Sequence, residues 1–321
     1  MPNLFATAIM LLWPLVVAAL FARLPLARAL VLAIVAGYLL LPQDVQFKAS
    51  MLPAYNRDFA PAVAALAMCL ALDREGLGRD RGWLPEAPVG KILVALFVFS
   101  PALTVLTNGD AIPGAETRPG LRPYDFGSVF YGQATAILPF LLARRYLAGR
   151  DGADAALRIL AAAGVAYAVP MLLEIRLSPF LHRDLYGFTP FSWRQQLRGD
   201  GFRPVAFLNH GLWTALFLAM ATVAAAALWR AAAGQARTLW AAATAWCVGV
   251  LALSNSFGAL LLGAALTPVA RLAPWRAQAL VAATIGVVAL VYPALRGIDL
   301  VPTERIVATL ARVDESRAFS L

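Results

Sequence analysis

Long apolar runs recur along the whole chain, separated by short stretches of charged, glycine and proline residues. The runs cover roughly 3–21, 27–42, 59–73, 91–107, 127–143, 157–173, 205–229, 238–253, 257–270 and 278–295. Segments of about 15 to 25 apolar residues suit helices crossing a hydrocarbon core about 30 Å thick. A transmembrane barrel would instead show short segments of alternating polarity. The pattern therefore predicts an all-α fold, a polytopic transmembrane helix bundle of about 10 spans, with about 8 to 11 as the range. The range reflects runs near the short limit and the pair flanking "LSNSFG" (Leu253 to Gly258), which reads equally as one broken helix.

Basic residues in short loops set orientation. Arg23 and Arg28; Arg74, Arg79, Arg81 and Lys91; Arg144, Arg145, Arg150 and Arg158; Arg230 and Arg237; and Arg271 and Arg276 all fall on one side, predicted cytoplasmic. The longer connections, 43–58, 108–126, 174–204 and 296–321, fall on the other, and both chain ends are expected there. Residues 1–295 read as one transmembrane domain and 296–321 as the start of an external loop. That last stretch begins an amphipathic pattern (Ile306, Leu310, Val313) and stops, so the chain is expected to be a fragment lacking an external region and further helices.

Composition strengthens the membrane assignment. Of 321 residues, 61% are hydrophobic and 14% charged, against about half apolar in soluble domains; the mean hydropathy is +0.71. The net charge of +9 does not change the picture, because its residues sit between apolar runs where they orient helices; no nucleic-acid partner is expected. Cys69 and Cys247 lie inside runs without metal or disulfide spacing. No phosphate-loop, metalloprotease or nucleophile-elbow motif appears, and neither a metal nor another cofactor is expected. The first run lacks a basic leader and a clear cleavage site and reads as a retained helix. Abundant alanine and arginine with only Lys48 and Lys91 suggest a GC-rich bacterial source.

Candidate chemistry concentrates around the seventh run. The 174–204 loop holds five arginines, two aspartates, His182 and six aromatic residues. Arginines make bidentate anion contacts and aromatic faces suit sugar rings; the same composition also suits an interfacial belt paired with lipid headgroups. Arg203 precedes Pro204, a residue type common at the first helical position, which puts Arg203 at the N-terminal edge of the next helix. Free amides there plus a guanidinium would bind an anion. Asn209 and His210 follow about 9 to 10 Å down the axis, as polar caps or as hydrogen-bonding or basic groups beside Arg203. "SNSFG" (Ser254 to Gly258) reads as a turn between helices, and Arg122 with Asp125 as an internal pair holding the 108–126 loop.

Three stretches, "RPVAFLNHGLWTALFLAM", "LALSNSFGALLLGAAL" and "ERIVATLARVDESRAFSL", resemble the O-antigen ligase and O-antigen polymerase superfamily of bacterial membrane glycosyltransferases, over roughly residues 198–321. The resemblance implies metal-independent, inverting transfer of a glycan from an undecaprenyl-diphosphate carrier to an acceptor hydroxyl. It implies a multi-pass protein of the bacterial inner membrane, working at its periplasmic face in envelope polysaccharide or lipopolysaccharide biosynthesis. Arg203 matches the family's first diphosphate-binding arginine; Arg198, Asn209, His210 and Arg317 are the accompanying substrate-binding candidates. The catalytic histidine would lie beyond Leu321. Ser256, Phe257 and Gly258 stand where family members carry a second arginine. Two other readings remain: a transporter or flippase-like protein for a lipid-linked saccharide, and a non-catalytic membrane subunit of polysaccharide assembly.

Overall fold

The computed structural model describes residues 1–48, 54–73, 82–111, 119–198 and 201–298. Among them are ten apolar helices: α1 (Leu4–Arg23), α2 (Leu26–Leu40), α3 (Phe59–Asp73), α4 (Pro88–Thr107), α5 (Asp125–Tyr146), α6 (Arg150–Leu177), α9 (Gly211–Ala231), α10 (Gly234–Leu253), α11 (Phe257–Leu272) and α12 (Trp275–Gly297). Seven of these are long and apolar enough to cross a membrane; α2, α3 and α11 are shorter. Two short helices, α7 (Leu181–Tyr186) and α8 (Trp193–Gln196), and an antiparallel pair of two-residue strands, β1 (Leu197–Arg198) and β2 (Gly201–Phe202), lie in the connection between α6 and α9. The chain is a polytopic all-α membrane protein, and the ten runs in its sequence correspond one for one to its ten apolar helices.

It divides into two compact units. The first comprises 1–159 with 185–187, the second 160–184 with 188–321. In the first, Asn3 caps α1 by accepting from the Ala6 amide (2.9 Å), the side-chain cap that a helix start favours. Its helices approach closely at Gly37, where a Cβ would meet the Pro61 ring at 2.3 Å. The Tyr55 hydroxyl donates to the Met10 carbonyl (2.8 Å), tying the 54–58 segment to α1.

In the second unit α9 is the central helix. Twelve of its 21 residues are buried, from Gly211 to Leu228, many of them alanines that allow close helix approach. A Cβ on Gly164 of α6 would meet the Ala221 Cβ at 2.2 Å, and one on Gly263 of α11 the Leu251 side chain at 2.7 Å. Trp246 of α10 donates to the Val165 carbonyl of α6 (3.2 Å). Thr222 and Thr244 return their hydroxyls to carbonyls one turn back (2.7 Å each), so these intramembrane hydroxyls are satisfied within their own helices. α12, by contrast, has no buried residue.

One predicted boundary is corrected. The seventh span begins at Gly211, and Pro204 is not a first helical residue. The intervening amides are engaged elsewhere: Val205 and Ala206 donate to Glu174, Phe207 to the Tyr167 hydroxyl, and Leu208 to the Val205 carbonyl. Ala206 sits at φ +51, a left-handed conformation that a helix excludes.

Candidate functional site at one end of the second unit

The C-terminal end of α6, the connection that follows it, the start of α9 and the α10–α11 turn meet at one end of the second unit. Glu174, in the last turn of α6, organises this mouth. Its side chain is fully buried. Oε1 accepts from the amides of Phe180 (3.1 Å) and Leu181 (3.0 Å), and Oε2 from those of Val205 (2.7 Å) and Ala206 (2.6 Å). A buried carboxylate is tolerated when charge-assisted hydrogen bonds surround it. Here the four donors come from two segments some 25 residues apart, so the carboxylate clamps both ends of the connection to one helix.

Gln196 makes the second tie. Its carbonyl oxygen accepts from the Gly211 amide (3.1 Å), while its main-chain oxygen accepts from the Arg203 amide (2.8 Å). The third is the α10–α11 turn. Asn255, at φ +52, donates through Nδ2 to the Phe202 carbonyl (3.3 Å), and its own carbonyl accepts from Arg203 Nε (3.2 Å). Asparagine is suited to this backbone conformation. The structure thus joins the Arg203 segment to the "SNSFG" turn, two stretches singled out separately in the sequence, and confirms that turn as a break between two helices.

His210 is the N-cap of α9. Its Nδ1 accepts from the Leu212 amide (3.1 Å), and its carbonyl accepts from Trp213 (3.0 Å) and Thr214 (3.4 Å). With Gly211 bonded to Gln196, the first four amides of α9 are all taken. The expected anion site made of free helix amides is therefore absent, and any anion at this mouth must be held by side chains. Nδ1 acts as an acceptor, so the neutral ring carries its proton on Nε2. Burial, then Arg203 and Arg198, hold the His210 pKa below its ordinary value, because each disfavours an imidazolium there.

Arg203 is half-buried, with its Cβ against Gly211: a Cβ added at that glycine would meet it at 2.6 Å. Arg198, on β1, donates through Nη1 to the Leu197 carbonyl (2.7 Å). Both arginines bear on the charge of His210. Asn209 is half-buried next to His210 and is not brought into the hydrogen-bond network among the described residues. Arg317 lies outside the described residues. His182, the other histidine in the chain, is buried with Nδ1 against the Phe188 carbonyl (2.9 Å), a structural place in the loop. In the 108–126 loop, Asp125 accepts from the Arg122 main-chain amide (2.7 Å), a backbone cap rather than the expected ion pair.

Two further polar groups lie at this end. Gln196 Nε2 and Ser256 Oγ are buried at this end and bond to no described residue. A buried polar group without a partner costs about 1–3 kcal/mol, which ligand oxygens would relieve. Ser256 belongs to the turn singled out in the sequence, though its hydroxyl does not cap α11; nothing in sequence marks Gln196.

The fold and this mouth define a multi-pass helical membrane protein with a basic, hydrogen-bonding site at one end of a helix-packed unit. No protein family, curated protein or solved structure matches the chain.

Proposed function

We propose that the chain is an O-antigen ligase-like membrane glycosyltransferase of the bacterial inner membrane, receiving a lipid-diphosphate-linked glycan at the Arg203 mouth on the periplasmic face. The observation that carries this reading is the gathering of Arg203 and His210 around Gly211 at the start of α9, tied to Asn255 and Gln196, with the buried Gln196 Nε2 bonded to no described residue. A lipid-linked diphosphate has the matching form: an acyl-like chain for the bilayer and anionic oxygens at its boundary.

In the proposed step an acceptor hydroxyl attacks the anomeric carbon, the bond to the diphosphate oxygen breaks with inversion, and the hydroxyl proton passes to a base. Negative charge grows on the departing diphosphate, and guanidinium groups stabilise it. Arg203 is oriented for this by the bond from Nε to Asn255, which fixes the plane of its guanidinium. His210 is a hydrogen-bond donor through Nε2 and not the base, since Nδ1 is engaged in capping α9.

The test is transfer from a synthetic undecaprenyl-diphosphate glycan to an acceptor glycolipid by protein in nanodiscs. Arg203→Ala should abolish transfer while membrane insertion is retained; unchanged transfer removes Arg203 from the mechanism. Flux of the carrier across proteoliposomes without diphosphate release would favour a transporter, and binding without either would favour a non-catalytic assembly subunit.

A further inference from the structure

At the end of the second unit opposite the mouth, arginines gather without a carboxylate partner among the described residues of that unit. From Gly201 to Ile298 the chain contains six arginines (203, 230, 237, 271, 276 and 296) and no aspartate or glutamate. Four of them, Arg230, Arg237, Arg271 and Arg276, fall where α9 passes to α10 and α11 to α12. The described carboxylates of this unit are committed elsewhere: Glu174 to four amides at the mouth, and Asp184 to Arg183 (2.9 Å).

The arginines here are shaped as well as numerous. Arg271 lies over the Trp229 ring, 4.5 Å from its centroid, and Arg276 over Trp275 at 5.5 Å. Arg230 donates through Nη1 to the Ala273 carbonyl, and Gln278 Nε2 to the same carbonyl (3.0 Å), so the α11–α12 corner is knitted and Arg271 is held beside it. Two helices begin at this end as two finish, which leaves little net helix dipole. Neither Ala233 nor Pro274 provides a side-chain cap for α10 or α12. Leu272 (73% exposed) and Trp275 (71%) flank the cations, so apolar surface and positive charge lie side by side, as at the boundary between acyl chains and headgroups.

We infer that this corner, centred on Arg271 over Trp229, is a docking site for the phosphate headgroup of an anionic phospholipid. The charge needs an anion that the described unit does not supply, and the adjoining apolar surface selects an anion carrying acyl chains over a soluble one. A planar guanidinium held on an indole presents its free edge to phosphate oxygens in fixed orientation. The mouth lies about 28 Å away along α9, so the inference does not rest on the glycosyltransferase reading.

The test is native mass spectrometry of the full chain, detergent-purified and re-lipidated with equal amounts of phosphatidylglycerol and phosphatidylcholine. Phosphatidylglycerol should be retained preferentially. Arg271→Gln with Arg276→Gln should lower that retention about thirtyfold, from roughly one headgroup-range charge interaction lost per arginine. Arg203→Ala should leave it unchanged. Arg271→Lys, which keeps charge but not the planar stack, should give an intermediate loss, with the thermal midpoint checking that each variant is folded. Equal retention of the two lipids, an unaltered double variant, or equal loss in Arg203→Ala would overturn the site. Displacement of the lipid by millimolar inorganic phosphate would overturn its assignment to a lipid.

Discussion

At the scale of single residues, Glu174 bears the greatest structural demand. Four amides converge on one buried carboxylate, and Glu174→Gln replaces an acceptor oxygen with an NH2 group that faces donors. The variant should lose on the order of 3 kcal/mol of stability, measured by denaturant unfolding in detergent micelles, and loosen Arg203 with it. Gly211 is similarly constrained, since a Cβ would meet Arg203 Cβ and the Gln196 side-chain oxygen (3.0 Å). Gly211→Ala should cost about 1–3 kcal/mol by overpacking, read in the same assay.

His210 adds a pH dependence. Its folded pKa lies below the unfolded value of about 6.5, so the unfolded chain binds the proton more readily. The neutral ring's contribution is complete above pH 6.5 and is lost as pH falls from there through the lowered folded value. His210→Asn keeps a capping acceptor and should remove that part of the acid sensitivity while leaving stability at pH 8 nearly unchanged. Thermal unfolding of both proteins between pH 5 and 8 checks the difference.

At the scale of elements, the spans were legible because bilayer solvation imposes a crude rule: apolar length alone marks a crossing helix. The start of α9 was not legible. Pro204 suggested a helix entry, but Glu174, 30 residues upstream, captures the amides of Val205 and Ala206 and delays the helix to Gly211. Such long-range capture leaves no periodic trace. Arg203 and His210 could be named as site candidates from residue type. The meeting of Arg203 with Asn255 and Gln196 required tertiary structure. The α6–α9 contact has its own check: Gly164→Val places branched carbon where Ala221 already lies 2.2 Å from a single added Cβ. It should destabilise the second unit by about 1–3 kcal/mol and lower the detergent unfolding midpoint.

At the scale of the whole molecule, the ten apolar helices among the described residues give a multi-pass membrane protein, and the second unit carries polar chemistry at both ends of α9. One end gathers Arg198, Arg203 and His210 within a network anchored by Glu174, Gln196 and Asn255. The other gathers arginines against tryptophans. The proposed division of labour assigns a reactive anion to the first and a bilayer anion to the second. Its central claim is that the Arg203 mouth binds a lipid-linked diphosphate. Equilibrium binding of a short-chain polyprenyl diphosphate to the full chain in phosphatidylcholine nanodiscs tests it most directly, comparing wild type with Arg203→Ala and with Arg271→Gln. Arg203→Ala should weaken binding about tenfold or more, the loss of one charge-assisted contact, and Arg271→Gln should not. Equal affinity of wild type and Arg203→Ala would contradict it.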